Sequence, residues 1–125
     1  MALASRRPGS QSVELVRAAP GRFAVRGALT FASARRAYEA GVRAFSQESE
    51  RSLSVDLSAV GEGDSAGLAV LLGWLSWAVR RGVTLQVDHV PESIRALARI
   101  SEAETLLQAP ATSAASDPAA VARPA

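Results

Sequence analysis

Between a β-prone run and a leucine-rich stretch the chain reads Gly61-Glu62-Gly63-Asp64-Ser65-Ala66-Gly67, where a dinucleotide-binding fold would place its phosphate-cradling glycines. The spacing is wrong for that chemistry. It is G-x-G-x-x-x-G rather than G-x-G-x-x-G, and Asp64 stands where an anionic pyrophosphate would approach. The same residues are well suited to opening a helix. Asp64 or Ser65 can accept from the free N–H groups of the first turn, and an acid there complements the positive end of the helix dipole. Asp56 and Asp64 can be imagined as a catalytic acid pair, but nothing near them in sequence supplies a nucleophile, a metal partner or a second base, so hydrolase chemistry is rejected. The single His89 cannot build a histidine metal site alone, and just before Pro91 it reads as a strand-end or loop residue.

Composition removes further classes. All 14 cationic residues are Arg, so a Walker A loop, a Schiff-base lysine and a lysine base are excluded. With no Cys there is no disulfide frame, no thiolate nucleophile and no Cys-ligated zinc, a composition that fits a reducing compartment. No cofactor is expected. The net charge is +2, with the basic excess in the first 26 residues. Within the expected domain the basic pairs are Arg35-Arg36 and Arg80-Arg81, without the interleaved aromatics that nucleic-acid binding favours, so no nucleic-acid partner is expected.

A chain of 125 residues holds one domain. Residues 1–12 and the Ala/Pro-rich residues 109–125 read as disordered ends around a domain at 13–108. MALASRRPGS has two Arg but no apolar run behind them, so no secretory signal is expected and a cytoplasmic location is. The longest uncharged stretch, Ser65 to Val79, falls short of the ~20 residues that span a hydrocarbon core, and no direct membrane insertion is expected.

Residues 13–18 and 23–29 alternate apolar with polar or small residues around Ala19-Pro20-Gly21, which predicts a β-hairpin. Thr30 is placed to cap a helix whose stripe is Phe31, Ala34, Tyr38, Val42 and Phe45. Leu53 to Leu57 predicts a third strand, and Gly61-Glu62-Gly63 a flexible loop. Leu68, Leu71, Leu72, Leu75 and Val79 predict a second helix, stopped by Gly82 after two Arg. Val70, Trp74, Trp77 and Arg81 form a second ridge on it, read as packing against neighbouring helices rather than as an exposed patch. Val83 to Val90 is a fourth strand, and Pro91-Glu92 opens a third helix carrying Ile94, Leu97 and Ala98. Ser101 and Glu104 match a capping box for a last helical turn with Leu106 and Leu107. The expected fold class is therefore α/β: a small mixed sheet of about four strands covered by three to four helices.

The strings Ser54-Val55-Asp56-Leu57-Ser58, then Asp64-Ser65-Ala66-Gly67-Leu68 running into leucines, then Val90-Pro91-Glu92-Ser93-Ile94 with Leu97 resemble the STAS domains, nearest the MlaB-like subgroup. The resemblance runs from about Val13 to Leu107. It implies a non-enzymatic docking module. MlaB-like members bind the cytoplasmic MlaF-like ATPase of an ABC transporter that moves phospholipid between the membranes of Gram-negative bacteria. Through that ATPase they reach a membrane permease, which places them peripherally on the inner membrane.

The other group, the anti-sigma-factor antagonists, binds a kinase that phosphorylates a serine directly before the box glycine. Here that position is Ala66, without a hydroxyl, which favours the MlaB-like reading; Ser65 remains the phosphoacceptor in the alternative. The resemblance maps the partner site to the helix start, Asp64, Ser65, Ala66 and Gly67, with Tyr38 as the aromatic residue of the first helix. Tyr38 also lies on the apolar stripe of its helix, so core packing with its hydroxyl at the rim is an equal reading. A stand-alone lipid-binding domain is a third possibility that so small a core can scarcely house.

Overall fold

The computed structural model describes residues 12–108. The expectations for the two chain ends lie outside the described residues, apart from Ser12. The order is β1 (Val13–Ala19), β2 (Arg22–Leu29), α1 (Ala34–Ser46), β3 (Ser52–Gly63), α2 (Ser65–Arg81), β4 (Thr84–Asp88), α3 (Glu92–Ile100) and α4 (Glu104–Gln108). The four strands form one mixed sheet in the order β1-β2-β3-β4: β1 and β2 are antiparallel, and β2-β3 and β3-β4 are parallel. The hairpin, the two strand-helix-strand units and the four helices are those expected from the sequence.

Alternation sets the sheet's two faces. Phe23, Val25, Leu53, Val55, Leu57, Leu85 and Val87 are buried, while Arg22, Arg26, Ser52, Ser58 and Gln86 on the opposite face are exposed. The helices supply the other half of the core. From α2 both ridges are buried: Leu68, Leu71 and Leu75 on one, Val70, Trp74 and Trp77 on the other. Phe45 of α1 holds the second ridge, its ring centroid 5.2 Å from that of Phe23, 5.4 Å from Trp74 and 5.7 Å from Trp77. Trp74 is fully buried and its indole Nε1 donates to the Tyr38 carbonyl at 3.2 Å, tying α2 to α1. The tryptophan pair is core.

Four details differ from the sequence reading. Thr30 does not cap α1. Thr30 to Ser33 form a tight turn, closed by Ser33 N–H donating to the Thr30 carbonyl at 2.9 Å, and the helix begins at Ala34. Buried Ser33 holds this turn, its hydroxyl donating to the Ala28 carbonyl at 2.7 Å and accepting from Thr30 N–H at 3.1 Å. Phe31 consequently lies outside the helix and off its stripe, 82% exposed.

Gly61-Glu62-Gly63 is strand rather than loop, because β3 continues alongside β2 to the pairs Ala28↔Glu62 and Leu29↔Gly63 through two register shifts. Ser101 does not start the last turn: its hydroxyl donates back to the Leu97 carbonyl at 3.0 Å and it closes α3. Finally, β4 is shorter than expected and stops at Asp88, since His89 turns to a φ of 58°. The stop of α2 is as expected, with Gly82 in the left-handed region at φ 71°.

Candidate functional site

The start of α2 is built around one carboxylate. Asp64 Oδ1 accepts from Ala66 N–H at 2.9 Å and Gly67 N–H at 3.1 Å, the capping role expected of it. Its Oδ2 accepts from Phe31 N–H at 3.1 Å, which fastens the β2–α1 turn to the same point. The first-turn amides of Ala66 and Gly67 are thus engaged by an acid of the chain itself.

Gly67 is buried where the helix crosses β2: a Cβ there would fall 2.2 Å from the Leu29 carbonyl oxygen. Any side chain would push α2 off the sheet. Ser65, the first residue of α2, is exposed, and its hydroxyl makes no hydrogen bond to the described residues.

Ala66 and Tyr38, both half-buried, face one open groove of about 640 Å³ between α1 and α2. Along α2 it is lined by Ala69, Gly73 and Arg80, and from the α1 side by Phe31 and Arg35. Gly73 lets the Tyr38 ring lie across α2, a Cβ at that position being 3.0 Å from Tyr38 Cε1. Of the sequence-derived site residues, Tyr38 and Ala66 therefore share this surface, Asp64 and Gly67 shape the helix start at its end, and Ser65 stands exposed beside it.

The sequence reading did not find Phe31, Arg35, Ala69 or Gly73 as site residues, and gave Arg80 only a minor reading as an anionic-lipid contact beside its role at the helix end. The available signal was the small-residue series Ala66, Ala69, Gly73 at helical spacing, within a helix whose other faces carry Leu and Trp.

A family model described as "Mlab, STAS domain" matches residues 15–108. The chain belongs to this MlaB-type STAS family. Among solved structures, this STAS domain is similar to the anti-sigma factor antagonist SpoIIAA in its unphosphorylated form, at a TM-score of 0.53 and 14% identity, over 71% of this chain and 83% of that one. The likeness shows a common fold. No curated protein matches the sequence.

Outside the groove, the MlaB-type domain carries one acid–imidazole contact, Asp56 Oδ1 to His89 Nδ1 at 2.8 Å. Hydrogen bonding from His89, then from the N–H and hydroxyl of Ser58, holds the Asp56 carboxyl below its ordinary range. Both side chains are well exposed, at 46% and 70%, and the contact ties the outgoing end of β4 to β3. Among the described residues no cluster of His, Cys, Asp or Glu is arranged to hold a metal ion, and no helix is long and apolar enough to cross a membrane.

Proposed function

We propose that this STAS domain is a non-catalytic docking subunit that binds the cytoplasmic ATPase of an ABC transporter for intermembrane phospholipid transport. It would sit peripherally on the inner membrane through that complex. The match of residues 15–108 to the MlaB-type family supports this choice of partner. The placement of Tyr38 and Ala66 on one groove, next to exposed Ser65, supports the site. The contact consists of the α2 start, Asp64 to Gly67, with Tyr38 beside it. Regulation follows from linkage: a subunit that prefers one conformation of the ATPase shifts its population by the difference in affinity, so stimulation of turnover tracks binding.

The test is capture of partners by the tagged chain from its own host, wild type beside Ser65→Arg. Ser65 is exposed, so the variant is expected to fold, and loss of an ABC ATPase from the captured set is the expected result. An ATPase retained by folded Ser65→Arg removes the helix start from the contact.

The alternative, an anti-sigma-factor antagonist, draws support from the fold shared with SpoIIAA and from the exposed Ser65 hydroxyl. Ala66 beside Gly67 counts against it, having no hydroxyl to phosphorylate. Capture of a histidine-kinase-like protein, with a phosphate added to Ser65 by intact mass, would move the function to that reading.

A further inference from the structure

All four helices add apolar residues to one core cluster with Phe23, Val55 and Leu85, and among the described residues the other face of the sheet is left open. On the two central strands that face is built of small residues: Ser52, Ser54 and Ser58 on β3, Ala24 and Gly27 on β2, with Gly61 beyond them. A strand that only faced water would favour longer or β-branched side chains, whereas small residues let another surface come close.

The charges on this face are divided by strand. Arg22 and Arg26 stand on β2, one row to either side of Ala24, and both are exposed. Asp56 lies beside Ala24 on β3, and Asp88 lies beside Asp56 on β4. Glu14 on β1 pairs across to Arg26. The face thus carries its cations on one side of the line between β2 and β3, and Asp56 with Asp88 on the other.

Two such faces fit each other about one two-fold axis. An axis running along the strands lays β2 of one copy over β3 of the second and β1 over β4, and keeps the rows level. Ala24 then lies over Asp56 of the second copy. Arg22 and Arg26 approach that carboxylate from the rows on either side, each about 7 Å away along the strand, and symmetry repeats the contact. Glu14 falls over the end of β4, which has stopped at Asp88. An axis across the strands would stack β2 on β2, setting Arg22 against Arg26 and Asp56 against Asp56. Charge therefore selects the lengthwise axis.

We infer that the open sheet face binds a second copy of this chain, β2 over β3, with Arg22 and Arg26 of each copy on Asp56 of the other. The groove between α1 and α2 belongs to the helical side and stays free, so the dimer carries two docking faces and can hold two partners at once.

The experiment is sedimentation of the full chain over a range of concentrations, at low and high salt. Wild type is expected to dimerise with rising concentration, less tightly as salt rises. Arg22→Glu/Arg26→Glu is expected to weaken the dimer about tenfold or more, and Asp56→Arg to do the same. Combining the three changes exchanges the charges between strands and should restore the dimer. Ala24→Trp, which puts bulk on the flat centre, should abolish it. Circular dichroism with the thermal midpoint verifies that each variant folds.

A wild type that stays monomeric up to about 1 mM overturns the inference. So does a dimer that the charge reversals and Ala24→Trp leave intact, or one that Phe31→Ala on the helical side dissolves.

Discussion

The Asp64 carboxylate accepts from Phe31 N–H at 3.1 Å, joining the first turn of α2 to the turn before α1 across 33 residues of sequence. One side chain thereby caps a helix and orients a loop, and the two roles separate by substitution. Asp64→Ala removes both and is expected to lower stability by about 1–2 kcal/mol, the usual effect of losing such a cap. Asp64→Asn keeps one acceptor oxygen for Ala66 and Gly67 N–H, so stability should change far less, while its amide nitrogen, a donor only, cannot accept the Phe31 N–H. Chemical denaturation beside a backbone amide spectrum checks this. Equal stability losses in both variants would show that the link to Phe31, rather than the cap, carries the energy.

Gly67 sets how closely α2 approaches the sheet. Because a Cβ would lie 2.2 Å from the rigid Leu29 carbonyl, Gly67→Ala must displace backbone rather than a flexible side chain. A loss of about 1–3 kcal/mol is expected, the range for overpacking a dense core. Gly61→Ala is the control: it meets nothing within 4 Å and should be close to neutral. Thermal melts of the two variants side by side decide the point.

The tryptophans report the core. Trp74 and Trp77 are 0% and 5% exposed, so emission of the folded domain should be strongly blue-shifted and move red on unfolding. Trp74→Phe removes the bond to the Tyr38 carbonyl and is expected to cost about 1–2 kcal/mol from the lost hydrogen bond and volume. The same change should loosen α1 against α2, seen as faster amide exchange in Tyr38 and its neighbours. Red-shifted emission in the native state would contradict the packing described.

What the sequence disclosed and what it concealed divide along physical lines. The leucine stripe of α2, Asp64 as a cap and Gly82 as a stop are local, each set by neighbours within a turn or two, and each was readable. The length of β3 was not, because Gly61 to Gly63 owe their strand conformation to pairing with β2. Nor was Phe31. Its fit to the helical period suggested a core position, yet Ser33 closes a tight turn through the Ala28 carbonyl and delays the helix past it. The groove arises from two elements far apart in sequence, so Ala69, Gly73, Arg35 and Arg80 carried no joint signal until α1 was laid against α2. Tyr38 had two readings, and its half-buried position on the groove accommodates both: it packs on the core cluster and faces the open surface.

Acid sensitivity is expected to come from three carboxylates held below their ordinary range: Glu48 by hydrogen bonding from Arg17, Asp56 by hydrogen bonding from His89, and Glu92 by hydrogen bonding from Arg99. A group whose folded pKa is depressed contributes stability above its unfolded value and loses it as the pH falls through the folded one. The thermal midpoint should therefore hold steady above the ordinary carboxylate range and fall once the pH drops below about 4. The three do not count equally. The side chains of Asp56 and Glu92 are 46% and 69% exposed, and their contributions should shrink in high salt. The Glu48 side chain is 6% exposed and also accepts from Gly21 N–H at 2.9 Å, so it pins the β1–β2 turn from the segment after α1. Glu48→Gln is accordingly expected to remove the largest share of the acid-dependent fall, and Asp56→Asn a smaller one. Midpoints recorded between pH 2.5 and 7 at two salt concentrations test the ranking; an unchanged pH profile in Glu48→Gln would place the acid sensitivity elsewhere.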